Sequence, residues 1–488
     1  MTYDTVIGLE VHVQLATATK IFCGCPTTFG GPPNSQTCPV CLGLPGVLPV
    51  LNRRVLEYGL KVALALNCQI QPTLKFDRKN YFYPDLPKNF QISQYDLPLS
   101  FAGSLAVPAT NDQPTFTVRI HRAHLEEDAG KLIHKDGERA TLVDYNRTGV
   151  PLLEIVSEPD LHSPEVAYRY LQALKHTLEY LDVSDCDMEK GSFRCDANVS
   201  LKPAGAQQLG VKAEIKNLNS FKHVRNALAY EIVRQQGVLE GGGRVVQETR
   251  LWDDAKGVTV SMRSKEFAHD YRYFPEPDLV PFSLTAEEIE AVRRTLPELP
   301  PQRTQRFVTQ YGLSAYDAGI LTSEKVLADY FEATVAAGAP AKAVANWIQG
   351  DLLAQCRTRG VAITELRIPP GHLAALVQLI QANTITSRIA KDLLGPMIET
   401  GQPPRALMQQ LGVAQVTDTG ALTAAALAVV QANPKAVADY QQGKSQAIKF
   451  LVGQVMARTK GQANPQLAQE ALQAVLQRAT ATPGGATA

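Results

Sequence analysis

The chain has no charge excess of either sign: 48 Lys and Arg stand against 48 Asp and Glu over 488 residues. That balance argues against a protein that coats nucleic acid with a uniformly basic surface. Cysteine is also scarce. Eight in the whole chain are far too few for a secreted disulfide scaffold, so a reducing cytoplasm is the expected location. No apolar run approaches the ~20 residues that a bilayer crossing needs, and no membrane partner is expected. The opening MTYDTVIGLEVHVQL has two acids, no Lys or Arg and alternating polarity, so it reads as a strand and not as a signal peptide. The common nucleotide and acyl-transfer signatures are missing: there is no Walker A loop, GxGxxG fingerprint, kinase loop set, GxSxG elbow or Ser/Gly-rich amidase segment. Gly443-Lys444-Ser445 falls short of a phosphate loop, because position 438 is Ala and no strand precedes it; it reads as a helix start. If ATP is handled here, a sheet lined with acids must handle it.

What remains is an ordinary globular composition, 45% apolar and 20% charged, long enough for two to four domains of ~100–200 residues each. From Met1 to about Thr295 short alternating runs recur at Val6 to Leu15, Thr115 to Ile120, Pro151 to Ser157, Phe193 to Leu201 and Val211 to Ile215. At least two helices interrupt them. Ser163-Pro164 starts one through Tyr180, and Ser220 starts another through Gln236 that Gly241-Gly242-Gly243 ends. Strands mixed with occasional helices, without regular βαβ alternation, predict an α+β domain with a mainly antiparallel sheet. LPELPP (Leu296 to Pro301) is a Pro-rich boundary, after which helical periodicity dominates, and a second break falls at Gly401 to Pro404. Beyond it Ile448, Leu451, Val452, Val455 and Met456 share one helical stripe. The expected division is 1–295, 296–405 and 406–488, with a frayed tail at ATATPGGATA.

Cys23-x-Cys25 and Cys38-x-x-Cys41 place four thiols in a stretch crowded with Pro26, Gly30, Gly31, Pro32, Pro33 and Pro39. Such a loop packs little core of its own. Four thiolates at this spacing suit tetrahedral zinc in a structural role, since four protein ligands leave no open position. Free thiols in a turn-rich loop are the alternative. Cys68, Cys186, Cys195 and Cys356 are scattered and read as buried small hydrophobes.

Acids supply the candidate chemistry. Glu10, His12 and Gln14 alternate with Leu9, Val11, Val13 and Leu15, so a carboxylate and an imidazole share a strand face able to hold a divalent ion; a solvated face is the alternative. HLEEDAGK places Glu126, Glu127 and Asp128 in a row, where a solvated turn is again the alternative. Glu154 interrupts an apolar run in PLLEIVSEPD, costly unless paired or metal-bound. In FRCDANVSL, Arg194, Asp196 and Asn198 line one face. Carboxylates from separate strands around Mg²⁺ would make a phosphoryl-transfer centre. Bases and aromatics accompany them. Arg78, Lys79 and Lys88 interleave with Tyr81, Phe82 and Tyr83, and DYRYFPEPDL repeats that texture, a mixture that stacks bases or simply fills buried turns. Lys216 leads a strand into a helix start, where free backbone N–H groups can bind an anion.

These segments resemble the B-subunit family of the aspartyl/glutamyl-tRNA amidotransferases. IGLEVHVQL, KFDRKNYFYPDLPKNFQISQYD, HLEEDAGK, YNRTGVPLLEIVSEPD, GSFRCDANVS, KAEIKNLNSF and DYRYFPEPDL each match the family pattern nearly residue for residue, and AIKFLVGQVMARTKGQANPQL resembles its YqeY-like tail module. The resemblance implies a heterotrimeric ligase whose partners are an A subunit, the glutaminase, and a small C subunit. In it ATP phosphorylates the side-chain carboxylate of Glu-tRNA(Gln) or Asp-tRNA(Asn), and ammonia then displaces phosphate. It implies a glutamine-synthetase-like, mainly antiparallel cradle followed by two all-α modules, a helical domain and a tRNA-binding YqeY-like tail. It carries Mg²⁺ ligation onto His12, Glu127 and Glu154 and extends it to Glu10 and Asp196 in the same catalytic site, beside which Lys79, Arg194 and Lys216 are the expected phosphate contacts. Cys23, Cys25, Cys38 and Cys41 match the zinc-bearing version of the family. A non-catalytic, zinc-containing RNA-binding scaffold and a ligase acting on free glutamate are the competing readings.

The neutral total conceals a division. Residues 1–300 hold 32 bases and 37 acids, residues 301–400 hold 9 and 8, and residues 401–488 hold 7 and 3. Acids gather with the candidate metal site and bases in the tail, as a tRNA partner requires.

Overall fold

A computed structural model describes residues 2–108, 114–134, 140–264, 268–412, 419–444, 446–459, 463 and 465–480. It divides into two compact units, 1–302 and 303–488. The strands of the first unit are β1 (Tyr3–Gln14), β2 (Gln69–Ile70), β3 (Thr73–Leu74), β4 (Asp77–Asn80), β5 (Phe90–Ser93), β6 (Ser100–Val107), β7 (Phe116–Glu127) and β8 (Lys131–His134). They continue with β9 (Thr141–Asp144), β10 (Pro151–Ser157), β11 (Phe193–Pro203), β12 (Ala213–Lys216), β13 (Glu248–Asp253), β14 (Val258–Ser264), β15 (Phe274–Pro275) and β16 (Phe282–Ser283). Among the described residues, nine of them form one sheet in the order β14-β13-β12-β11-β1-β10-β7-β6-β2. Its pairs are antiparallel except β12–β13, which is parallel. The α+β reading and the antiparallel character both follow from the local patterns.

Alternation in the central strands sorts the two faces of this sheet. Leu9, Val11 and Val13 of β1, Leu153 and Ile155 of β10, and Ala197 and Val199 of β11 are fully buried on one face. They share a single core with Val55, Leu60 and Val62 of α1 (Arg53–Ala65), Tyr170, Leu171, Leu174 and Leu178 of α2 (Pro164–Tyr180) and Val224, Ala227 and Leu228 of α3 (Phe221–Glu240). Both helices begin where the sequence places them. Ser163 Oγ accepts from Val166 N–H, and Ser220 Oγ accepts from His223 N–H. Each such cap contributes ~1 kcal/mol by satisfying a donor left over at the helix start.

One buried acid anchors α3 to the sheet. The fully buried Glu231 receives Arg234 at 2.6 Å, Thr259 Oγ1 at 2.8 Å, Gln235 Nε2 at 3.0 Å and Arg250 Nε at 3.3 Å. Glu231→Ala is expected to cost about 2–4 kcal/mol, because it takes the acceptor from the buried Thr259 and Gln235 and one of two counter-charges from the half-buried Arg234 and Arg250. The shift in chemical-denaturation midpoint measures it; a loss under about 1 kcal/mol would contradict the argument.

The regular elements described in the second unit are helices. One core gathers Phe307, Leu327, Phe331, Val344, Ile348, Leu373, Val377, Leu393 and Met397. Another gathers Leu422, Ala426, Val429, Leu451, Val455, Leu472 and Leu476. Leu451 and Val455 of the expected stripe are buried in it, and Ile448, Val452 and Met456 pack partly against it. The break at Gly401 is a helix end with the glycine in the left-handed region at φ 72°, and the next helix begins at Pro404. A helix starts at Gln446, so of the expected Gly443-Lys444-Ser445 start only Ser445 lies outside the described residues. The last helix runs to Thr480, and residues 481–488 of the expected frayed tail lie outside the described residues.

In this unit Glu332 holds Arg303 at 2.5 Å, Arg306 at 2.6 Å and Tyr311 Oη at 3.0 Å. Burial alone would raise its pKa, but these donors hold it at about 2. The folded value lies below the unfolded one, so this stabilisation is complete above pH ~4.3 and is lost as pH falls towards 2. With the carboxylate one-quarter exposed, its size is on the order of 2 kcal/mol. Glu332→Gln should flatten the acid limb of a pH–stability profile in that window; an unchanged limb would refute the assignment.

Candidate functional site

The face of the sheet opposite the core carries the chemistry. Antiparallel register aligns Arg194 of β11, His12 of β1, Glu154 of β10 and His124 of β7 in one row across four strands. Asp196 and Glu10 form the neighbouring row, and Gln14 and Glu126 pair through Leu152 in the row on the other side. Side chains on one face of paired strands stand within reach of each other, so residues distant in sequence converge.

Three donor groups come together most closely. One ring nitrogen of His12 and one carboxylate oxygen each from Glu126 and Glu154 all lie within 4.8 Å of one another, a geometry that can hold a metal ion. His12 Nε2 stands 3.4 Å from Glu154 and 3.7 Å from Glu126. The three side chains are 21%, 4% and 12% exposed, so the cluster is sheltered yet open at His12. Burial by itself would lower the His12 pKa. Glu154, then Glu126 and Asp196, overcome it and raise the imidazole to about 9. The acids respond in the opposite sense. Burial would raise them, yet His124 and His12 hold Glu154 well below the usual carboxylate range and hold Glu126 low as well. The face is thus built around negative charge that a cation balances. Two carboxylates and one imidazole are a donor set that suits a divalent ion.

Glu127 points elsewhere. The structure brings Glu126 to His12 and Glu154, whereas the Glu127 carboxylate turns towards β5 and pairs with Lys88 and with the Ile92 N–H at 2.9 Å. The physical cause is an irregularity where β7 meets β10: Ser157 pairs with Ile120 but Val156 pairs with Arg122, so His121 is skipped. That extra residue reverses which positions face the core. Val118 and Ile120 are buried in the core before it, and Ala123 and Leu125 after it.

Glu10, Asp196, Arg194 and Lys216 line the same face, whereas Lys79 belongs to the separate three-stranded sheet β15-β4-β5. Glu10 accepts a hydrogen bond from Asn198 Nδ2 at 2.9 Å, and Asp196 accepts one from Lys216 at 2.6 Å. Arg194 donates to Asp128 at 3.0 Å, and Gln14 Nε2 donates to the other oxygen of Asp128 at 2.8 Å. Lys79 sits among aromatic rings, 4.9 Å from the centroid of Tyr271 and 5.8 Å from that of Tyr81. Burial would lower its pKa, but Tyr273, Glu126 and Glu154 raise it, which puts Lys79 within electrostatic reach of the triad. Burial likewise opposes, and Asp196 and Glu214 raise, the pKa of Lys216. Lys79, Arg194 and Lys216 are therefore cations at the margins of the acidic cluster. Two residues that residue order alone did not single out belong to it, Glu126 as a donor and His124 beside it; both stand in the HLEEDAGK segment, without a signal for which acid turns inward.

The four loop cysteines also converge, their sulfurs all within 4.8 Å of one another. Cys41 is buried and the other three half-buried. The Cys38 N–H donates to Cys41 Sγ at 3.2 Å, and the buried Lys20 ammonium stands 3.7 Å from the same sulfur. The Cys23 thiol, against the effect of burial and with help from the Cys38 N–H and Lys20, holds the Cys41 thiol down at about 5. Convergent sulfurs, an N–H aimed at one of them and a nearby cation form the donor chemistry of a tetrahedral thiolate metal site. Cys68, Cys186, Cys195 and Cys356 are buried.

Comparison with known proteins adds an independent observation. Residues 5–290 match the family described as the GatB/GatE catalytic domain, and residues 329–476 match the GatB domain. The chain is 56% identical over 474 residues to the B subunit of the aspartyl/glutamyl-tRNA(Asn/Gln) amidotransferase of Moorella thermoacetica, covering 97% of this chain and 99% of that one. The protein of the same name from Carboxydothermus hydrogenoformans is 54% identical over 473 residues, covering 96% and 98%. That from Brevibacillus brevis is 52% identical over 474 residues, covering 97% and 99%. No described helix is long and apolar enough to cross a membrane.

Proposed function

The chain belongs to the B-subunit family of the aspartyl/glutamyl-tRNA(Asn/Gln) amidotransferases, and from that premise we propose that it is the kinase and transamidase component of a tRNA-dependent ligase. It acts on Glu-tRNA(Gln), Asp-tRNA(Asn) or both. ATP phosphorylates the side-chain carboxylate, ammonia attacks the acyl phosphate, and phosphate leaves as the amide forms. The A subunit, a glutaminase, supplies the ammonia, and the small C subunit completes a cytoplasmic heterotrimer. Residues 1–295 are the glutamine-synthetase-like catalytic cradle, 296–405 a helical domain and 406–488 a YqeY-like module for tRNA.

The observation that carries this reading is the convergence of His12, Glu126 and Glu154 from three adjacent strands. These residues would hold Mg²⁺, which supplies charge neutralisation between ATP and the tRNA-borne carboxylate. Glu10 and Asp196 extend the acidic rim. Arg194, held by Asp128, and Lys216, held by Asp196, present cations to phosphate oxygens in a fixed orientation. Lys79 does so from the aromatic side. Cys23, Cys25, Cys38 and Cys41 would hold structural Zn²⁺ away from the chemistry.

The test is assembly with candidate A and C subunits, followed by an amidation assay on both mischarged tRNAs. ATP-dependent amide formation is expected on at least one, with no turnover of free glutamate. tRNA binding without ATP hydrolysis would favour the RNA-binding scaffold instead.

A further inference from the structure

The triad leaves one buried titratable side chain unexplained. His124 is 3% exposed and lies directly opposite Glu154 in the β7–β10 register. Its Nε2 stands 3.3 Å from Glu154 Oε2 and 3.6 Å from Glu126 Oε2. Its other ring nitrogen, Nδ1, is buried with no hydrogen-bond partner among the described residues. A buried imidazole nitrogen without a partner costs free energy that something must offset. The offset available is at the other end of the ring, which faces two carboxylates at once.

The geometry divides the two histidines by role. The group whose donor atoms all lie within 4.8 Å comprises His12, Glu126 and Glu154, without His124. Glu126 turns Oε1 towards His12 and Oε2 towards His124, and Ser93 Oγ also donates to Oε2 at 3.2 Å. One Glu126 oxygen is thus tied back while the other is left facing the metal-binding group. Glu154 presents the same oxygen, Oε2, to both rings. Resting on the reading of this triad as a divalent-cation site, we propose that His124 is a positioning residue: it fixes the carboxylates of Glu126 and Glu154 for the cation without ligating it. Partners one shell out from a metal typically set affinity by 10–100-fold, because unclamped carboxylates must be ordered when the ion arrives.

The experiment uses the full chain assembled with its partner subunits and Mn²⁺ as probe, titrated by electron paramagnetic resonance. His124→Phe keeps the buried volume without a donor, and His124→Gln keeps a donor near the Nε2 position. The Phe variant should bind Mn²⁺ 10–100-fold more weakly. Its amidation should recover most of the parental kcat at saturating metal, so the activation constant moves and the turnover number does not. The Gln variant should restore affinity to within about fivefold of the parent. Parental Mn²⁺ affinity in the Phe variant, with Glu154→Gln abolishing binding, would overturn the positioning role alone. Should Glu154→Gln itself leave Mn²⁺ affinity and amidation intact, the metal-site reading fails and the role of His124 falls with it. Equal losses in the Phe and Gln variants with undiminished thermal stability would also overturn it, since the donor would then be irrelevant.

Discussion

Glu126→Gln will lower ATP-dependent amide formation on mischarged tRNA by about 10²–10³-fold, roughly 3–4 kcal/mol of barrier, while its neighbour Glu127→Gln leaves the metal response near that of the parent. The substitution is isosteric, so it removes charge without opening a cavity. Glu126 is 4% exposed and stands 3.7 Å from His12, and that charge is what a cation at the triad would meet. An amide oxygen introduced at position 127 can still accept from Lys88 and the Ile92 N–H, so any cost there should fall on stability. Ammonium chloride as nitrogen donor isolates the step from glutamine hydrolysis. The discriminating measurement is the Mg²⁺ activation constant of the two variants side by side. If Glu127→Gln proves the more damaging to it, the assignment of Glu126 is wrong.

Cys41→Ser should drop the zinc content from one equivalent per chain to less than about a tenth, because the oxygen replaces the most buried of four sulfur ligands. The loop has little else to hold it together. Phe29, Leu44, Leu48 and Val50 are exposed, and its ties to the body are polar: Gln36 N–H to Asn146 at 2.8 Å, Asn34 N–H to Asp144 at 2.9 Å, and Lys20 to the Gln36 carbonyl at 2.8 Å. Loss of the metal also leaves Lys20 buried without its nearest anionic partner. Proteolytic nicking between residues 23 and 49 should therefore accelerate at least about tenfold, and the melting temperature should fall on the order of 5–10 °C. Elemental analysis and limited proteolysis are sufficient. A purified parent carrying under about half an equivalent of zinc would remove the premise.

Much of this was readable from residue order, and the exceptions have physical causes. The two-residue alternation of β1 and β11 forecast which side chains share a face, since uninterrupted strands alternate without exception. Ser163 and Ser220 marked the helix starts to the residue, because their side chains satisfy N–H groups that only a helix start leaves open. The convergence of four cysteines was legible from spacing alone. Which acid of the Glu126–Glu127 pair turns towards His12 was not. Counted in twos from the buried Val118 and Ile120, Glu127 belongs to the open face and Glu126 to the core. The skipped residue at His121 reverses that count, and it is set by pairing with β10, a strand distant in sequence, which no local pattern records. His124 escaped for the same reason.

Glu126 and Glu127 are joined by one peptide unit yet serve opposite sides of the strand. Beyond Glu127 lies a cavity of about 250 Å³ whose wall includes Cys23, Cys41, Lys88 and Gly149. The end of β7 is therefore a partition between two compartments, the acid face on one side and the cysteine loop on the other. Whatever enters the cavity meets the Glu127 carboxylate, one peptide unit from the acid that faces His12. The acids and the cysteine loop thus share one strand end, reached from opposite sides.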